Sequence, residues 1–389
     1  MFPRRWALVL GVIAAFQVAS RAATYVVNPD GTGDAPTIGA AVSRAVTGDV
    51  VLLADGVFQG PGNRDILCRE KAIEIRSAND DPSACIIDCQ GSASEFHRGF
   101  EFRSIPSPGA TLQGVTITNA HAGYGGGGAR CWPLTTVIFR NCIFRSNRDE
   151  SGSAGGGWGG GGVVGGAIAY FYDCVFEDNG ANGGGAFAGS TGVAAFERCT
   201  FSRNVGSEGG GACYLDLGST ASFTDCLFQG NQSQMGGAVY CESDGQVTLD
   251  RCTMVGNSAS VFGSCFFGYN GGAAFVNRSI LAFGEGCSAV WGEINTTAQL
   301  TCCDVYGNEG GDWVNGIEEQ AGTNGNLCLD PLFCSLEEND FGLHTDSPCA
   351  SDFNPACGLI GALPIGCGDS PTQQRTWGAM KALFRGDAK

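Results

Sequence analysis

The phrase Phe-x-x-Cys-x-Phe-x-x-Asn recurs in this chain, beginning at Phe139, Phe171, Phe196 and Phe223 and ending at Asn147, Asn179, Asn204 and Asn231. A looser copy runs from Leu249 to Asn257. The reference cysteines Cys142, Cys174, Cys199, Cys226 and Cys252 are spaced by 32, 25, 27 and 26 residues. The same register reaches back to Val115 and forward to Ser279 and Cys303, where Leu300, Val305 and Asn308 keep the pattern. A fixed period of this length marks stacked units, none of which can bury a core alone.

Within each unit apolar residues alternate at strand spacing, and no helical period separates the copies. Short strands joined by Gly-rich corners predict an all-β fold, a right-handed parallel β-helix. Successive coils then pair strand on strand at ~4.8 Å, which places each repeated residue over its own copy. The phenylalanines and cysteines are expected to point inward. Asn147, Asn179, Asn204, Asn231 and Asn257 are expected at an inner corner, where stacked amides satisfy each other and the turn backbone. Gly-Gly steps before Ala129, Ala186, Ala212 and Ala238 are expected to supply backbone conformations closed to other residues.

The ends read differently. Residues 1–23 have the pattern of a secretory signal, with Arg4 and Arg5 ahead of an apolar run and then small residues. That run is shorter than the ~20 residues a bilayer requires, and no later stretch is apolar enough to span. The full chain carries a net charge of -17. Loss of the leader with its three arginines leaves 19 basic residues against 39 acidic, a charge of -20. Such a surface disfavours nucleic acid and anionic lipid.

Residues 25–60 predict a strand (25–27), a turn, an amphipathic helix (37–46) and a second strand (50–53), forming an N-terminal cap for the first coil. Strands are also expected at 73–75 and 112–117. Residues 148–158 are a Gly-Ser insertion that lengthens one corner; no Lys-Ser or Lys-Thr follows it, as a phosphate-cradling loop requires. From Cys328 the repeat stops and a Cys-rich C-terminal cap begins. Residues 24–367 thus read as one domain, followed by a tail, 368–389. In the tail Arg375, Lys381, Arg385 and Lys389 flank Trp377, Met380, Leu383 and Phe384, which fits a sorting or docking segment for export machinery as well as a helix lying on the acidic solenoid.

Twenty cysteines in an exported chain invite disulfides. The ladder cysteines are read as small buried apolar residues. Crosslinks are expected instead among Cys68, Cys85 and Cys89 at the start and among Cys328, Cys334, Cys349, Cys357 and Cys367 at the end, in loops. No Cys-x-x-Cys pair accompanies the three histidines, which disfavours a zinc site.

Two resemblances add to this reading. The Asp30-Gly31-Thr32-Gly33-Asp34 turn and the residues up to Ile38 resemble the opening of pectin methylesterases and other pectin-lyase-like β-helix proteins. The segments Leu329-Asp330-Pro331-Leu332-Phe333, Ser347-Pro348-Cys349 and Gly358-Leu359-Ile360-Gly361-Ala362 are similar to the closing segment of many bacterial β-helix proteins. Separately, the alternation of Gly-Gly-Ala with Phe-x-x-Asn, at Phe144, Phe176, Phe201 and Phe228, is similar to the repeat of the chlamydial polymorphic membrane proteins, surface-exposed passengers that act in adhesion. That family's C-terminal barrel has no counterpart in the 22 residues after Cys367, so the resemblance implies display through the tail or a partner.

The pectin-lyase-like resemblance implies carboxylate-based chemistry on polysaccharides, sometimes with calcium, but its motifs are missing beyond the cap. Asp80-Asp81 precedes the regular coils and reads as a solvated turn. His97, His121 and His344 have no evident Ser or Cys partner and read as surface or loop residues. Asp173, Glu197, Asp225 and Asp250, with Arg198 and Arg251, read as a polar outer face on which a carboxylate row can take calcium. No residue is singled out as catalytic. The expected function is a secreted or cell-surface, outer-membrane-associated β-helix that adheres or binds glycan without turnover. The alternative is a pectin-lyase-like lyase, hydrolase or esterase.

Overall fold

A computed structural model describes residues 22–150 and 160–368. The signal segment, the centre of the Gly-Ser insertion and the basic tail lie outside the described residues. The described chain winds into a parallel solenoid of three long sheets and one narrow one. Sheet I has eleven strands, from Thr24–Val27 through Val193–Glu197 to Thr297–Thr301. Sheet II has ten, from Gly56–Phe58 through Thr200–Ser202 to Asp304–Tyr306. Sheet III has nine, from Ile66–Arg69 through Cys213–Asp216 to Val290–Gly292, and sheet IV has six short ones between II and III. No helix among the described residues is long and apolar enough to cross a membrane.

Strict register turns the repeat into columns. Phe171 pairs with Phe139 and Phe196, and Phe201 with Phe176 and Phe228. Their rings stack almost parallel, with centroids 4.5 Å apart for Phe171–Phe196 and 4.9 Å for Phe176–Phe201. The two columns meet edge to face inside each coil, as between Phe196 and Phe201 at 71°, a favourable quadrupole arrangement. Beside them Cys142, Cys174, Cys199, Cys226 and Cys252 are buried and free. Their thiols reach backbone carbonyls, such as Phe171 O from Cys199 at 3.6 Å, and burial raises Cys174 and Cys226 so that they remain protonated.

The asparagine column follows sheet II. Asn204 Nδ2 donates to Asn231 Oδ1 at 3.0 Å and to Phe176 O at 2.9 Å, while the Asn204 backbone N–H donates to the same Asn231 oxygen at 3.0 Å. Asn147, Asn179 and Asn231 repeat this pattern, and Asn257 closes the run by donating to Phe228 O. All five are fully buried. A buried corner is thereby satisfied without water.

Left-handed backbone occurs at two of the Gly-Gly steps, as expected, with φ of 22° at Gly210 and 65° at Gly236. It also falls at two corners of each coil, mostly on non-glycine residues. Asp173, Arg198, Asp225 and Arg251 take φ of 56°, 53°, 55° and 50° just before the ladder cysteine, and Asp178 and Arg203 take 56° and 52° before the asparagine. This conformation costs an L-residue about 1–2 kcal/mol. It lets the corner N–H join the inter-coil ladder, as Arg198 N does to Thr224 O at 2.9 Å. The Gly-Gly steps serve close approach as well: a Cβ on Gly185 would sit 2.3 Å from Gly211 O, and one on Gly211 would sit 2.0 Å from Gly237 O.

At the N-terminus the helix spans Ile38–Arg44, shorter than expected, because Thr37 is its cap, accepting from Ala40 N through Oγ1, and Ala45 is already extended. The expected strand 112–117 is two, Ala110–Gln113 and Thr116–Thr118, split by Gly114 at φ 67° as the chain turns from sheet I to sheet II.

The terminal cysteines require correction. Cys68 and Cys85 lie in strands and Cys89 directly follows one; all three are buried and free, so they are core residues and not loop crosslinks. Disulfides join Cys302 to Cys357 and Cys334 to Cys367. Cys302 belongs to the last coils, outside the expected group, while Cys328 is exposed and free. The C-terminal segment lies alongside the solenoid: Ile360, Phe333, Phe341 and Leu343 pack with Val255, Ile280 and Ala282 of sheet II. Ala362 N bonds Thr253 Oγ1 at 3.0 Å. The Cys302–Cys357 bridge ties this flap to the coils beneath.

Under the flap Asp304 is fully buried, accepting from Leu329 N at 3.1 Å and from the Cys349 thiol at 3.2 Å. Desolvation raises its pKa from 3.8 to about 7, outweighing those two bonds. A carboxyl raised in the folded state stabilises most below its unfolded pKa, and this contribution is lost as pH rises through the folded value. Wild-type stability is therefore expected to fall between pH 4 and pH 8 by up to about 4 kcal/mol from this group, and Asp304→Asn to remove that slope in urea titrations at several pH values. An unchanged slope contradicts the assignment. In the column core, Phe201→Ala is expected to cost ~3–5 kcal/mol in the same assay; a loss under 1 kcal/mol speaks against close stacking.

Candidate functional site

Alternation on each sheet III strand sends one residue set to the core and the other outward. The inward set is apolar: Phe102, Cys131, Leu215 and Cys241 all belong to the main core. The outward residues stack in two columns. One runs Glu101, Arg130, then Ala188, Tyr214, Tyr240, Phe267 and Trp291. The other, two residues further along each strand, holds Arg69, Arg103, Trp132, Ser190, Asp216, Glu242 and Tyr269. The basic residues of these columns lie in the first coils, beside Glu101 and Trp132, while Asp216, Glu242 and most of the aromatic rings lie in the later ones.

In the first coils Glu101 accepts from Trp132 Nε1 at 2.5 Å and from Arg103 Nε at 2.8 Å. The Arg103 guanidinium lies 4.6 Å from the centre of the Trp132 ring. Arg130 lies 4.0 Å from the Trp132 ring centre and 4.6 Å from that of Tyr124. Arg98 holds the adjoining turn by donating to the carbonyls of Tyr124, Gly125 and Gly126.

In the last coils Tyr214, Tyr240 and Phe267 form a buried aromatic cluster outside the solenoid interior, edged by half-buried Met235, Phe262, Tyr269 and Trp291. Tyr214 OH donates to Glu242 Oε1 at 2.8 Å, and Tyr240 OH donates to the other oxygen. Burial and the neighbouring carboxylate raise both phenols, which stay protonated donors. Asp216 stands one coil from Glu242; its own burial, then Glu242, push its carboxyl up against the Leu217 N–H that lowers it. Two carboxyl groups in unlike surroundings, framed by aromatic rings, can bind hydroxyl groups and can exchange a proton.

The residues singled out by sequence lie elsewhere. Asp173, Asp225 and Asp250 sit at the corner between sheets I and II, each facing an arginine of the following coil: Arg198 at 2.7 Å, Arg251 at 2.6 Å and Arg278 at 2.6 Å. Glu197, at the end of its strand, contacts Arg198. Each of these carboxylates is paired with a guanidinium, and no group of three or more His, Cys, Asp or Glu among the described residues is arranged to hold a metal. Asp81 caps its turn by accepting from Ser83 N and Oγ. The histidine side chains are 13–16% exposed; His97 lies in a loop, and His121 and His344 lie in short strands. His97 joins Asp65 at 2.7 Å and Glu95 at 3.0 Å, and His121 stands 2.9 Å from Glu150 but out of line for a hydrogen bond.

The family model described as the right handed beta helix region matches residues 68–288. The chain belongs to the right-handed β-helix family. Pectate lyase Pel9A is 16% identical, with 89% of this chain and 97% of that chain covered and a TM-score of 0.48. Alginate lyase AlyGC is 12% identical, with 90% and 60% covered and a TM-score of 0.30. A mannuronic acid specific polysaccharide lyase from human gut microbiota is also 12% identical, with 93% and 98% covered and a TM-score of 0.25. Likeness at this level assigns no activity to the β-helix described here. No curated protein matches it.

The tyrosines holding Glu242 give the site a measurable signature. Tyr214→Phe is expected to cost about 1–2 kcal/mol in urea unfolding because it removes a donor to a half-buried carboxylate. Tyr269→Phe, whose hydroxyl has no hydrogen-bond partner among the described residues, is expected to stay within about 0.5 kcal/mol. Equal losses in the two variants would contradict the hydrogen-bond assignment.

Proposed function

We propose that this β-helix is an exported surface protein that binds glycans along the outer face of sheet III and does not turn them over. The observation that carries the reading is the convergence on that face of half-buried aromatic rings (Trp132, Phe262, Tyr269, Trp291) with charged groups (Glu101, Arg103, Arg130, Glu242) that the interior does not require. Sugar rings offer apolar C–H faces to aromatic planes and hydroxyl groups to carboxylates and guanidiniums, and such platforms recognise them with few moving parts. Glu101 and Glu242 each already accept from two side chains, which suits a fixed recognition group better than a free base. Export rests on the leader-like residues 1–23, and the basic segment 368–389 is a route to retention at the surface.

A second reading has one observation in its favour: Asp216, with its raised carboxyl, stands beside Glu242 as an acid/base pair would. Incubation with neutral and acidic polysaccharides, with and without calcium, separates the two. Binding on a glycan array without new reducing or unsaturated ends is the expected result. Depolymerisation that Asp216→Asn or Glu242→Gln abolishes, at unchanged melting temperature, would overturn the non-catalytic reading.

A further inference from the structure

Arg130 is held in an unusual way for a cation on an acidic protein. Its strand neighbour one coil back, Glu101, is already committed to Arg103 and Trp132. Among the described residues Arg130 has no carboxylate within ion-pair distance; Nη1 donates to Tyr124 O at 3.3 Å, and the Glu101 carboxylate and Tyr124 hydroxyl favour its charged form. A guanidinium has five N–H donors in a planar fork. Here two rings pack on it, Trp132 at 4.0 Å and Tyr124 at 4.6 Å, and the fork keeps N–H donors for a ligand. The turn carrying Tyr124 is itself fixed by the three bonds from Arg98. The fork is therefore pre-organised, and the carboxylate that favours its charge, Glu101, is shared with Arg103. Arg103, stacked on Trp132, adds to the positive field of this end.

We propose that the edge of Arg130 is an oxyanion subsite that takes the carboxylate or sulfate ester of one acidic unit in an otherwise neutral glycan. The proposal rests on the glycan-binding reading of sheet III. The chemistry of the rest of the face limits the ligand. Three coils beyond Arg130, ~14 Å along the solenoid, the same columns present Tyr214 and Asp216, with Tyr240 and Glu242 one coil further on. A polymer charged on every unit would bring its anions against these carboxylates, on a chain whose net charge is -17. A glycan with an isolated acidic group places its anion on Arg130 and hydroxyl-rich units on the aromatic, carboxylate end.

The test uses the full-length, disulfide-intact mature protein. Three probes are titrated by calorimetry at low salt: a neutral tetrasaccharide, the same tetrasaccharide with one sulfate or one uronate unit, and tetragalacturonate. In parallel, sodium sulfate and sodium acetate are titrated while the Arg130 Nε–H signal is followed by NMR. The singly charged probes are expected to bind at least about tenfold more tightly than the neutral one, the value of a hydrogen-bonded ion contact, and more tightly than tetragalacturonate. Comparison of the sulfated and uronate probes identifies which oxyanion is preferred. Arg130→Lys, which keeps the charge and loses the fork, is expected to remove most of that gain, and Tyr124→Ala on its exposed turn to remove part of it. Equal binding of neutral and singly charged probes, or unchanged binding by Arg130→Lys, overturns the subsite. A response of Arg130 to sulfate with no oligosaccharide binding keeps the oxyanion site and rejects the glycan reading. Binding of neutral and charged glycans alike, with Arg130 silent, does the reverse.

Discussion

Parallel, in-register hydrogen bonding between successive coils is the constraint on which everything else in this protein depends. At ~4.8 Å per coil, a residue's nearest neighbours are the same positions one turn above and below. Each position must therefore be compatible with a copy of itself. Phenylalanine satisfies this by stacking ring on ring, asparagine by passing an amide bond from coil to coil, and cysteine by fitting a thiol between neighbouring carbonyls. A charged residue cannot stack on itself without penalty. At the corner between sheets I and II the chain instead sets Asp173 against Arg198 and Asp225 against Arg251, opposite charges on consecutive coils.

The same constraint shapes the outside. A column on an outer face has no core to fill, so its composition is free to serve a ligand. The outward columns of sheet III change character along the axis, from Arg103, Arg130 and Trp132 to Tyr240, Phe267 and Trp291. This gradient makes the face directional. An extended ligand lying along it meets Arg103 and Arg130 first, then Asp216 and Glu242, and the rings of Tyr269 and Trp291 last. Sheet II is closed to such a ligand in its final coils, because the flap held by Cys302–Cys357 covers Val255, Ile280 and Ala282.

The repeat made the solenoid readable because Phe201, Cys199 and Asn204 each recur at a fixed offset, and only stacked coils give such offsets a purpose. The outer site was harder to read. Its residues follow Gly-Gly-Ala turns at Tyr214 and Tyr240 and a Gly-Ser-Cys turn at Phe267, but Arg130 and Ala188 hold the equivalent positions in earlier coils, so no single residue type repeats. Aligning the tetrapeptides after Gly128, Ala212 and Ala238 would have exposed these columns. The disulfides were only partly legible, since Cys302 lies in the spacing of the regular coils and its partner Cys357 is set by where the flap folds back. Left-handed backbone at Asp173 and Arg198 carried no local signal, because the inter-coil ladder imposes it and the residue types do not.

The most direct measurement of this account is residue-resolved amide hydrogen exchange on the intact protein. The backbone N–H groups of Asn147, Asn179, Asn204 and Asn231 each donate to the side-chain oxygen of the next asparagine in the column. If coil stacking on this buried column holds the fold, these amides open only with the whole solenoid and exchange among the slowest, as one block with Phe176 and Phe201. Fast or mutually independent exchange at Asn179 and Asn204 would contradict it.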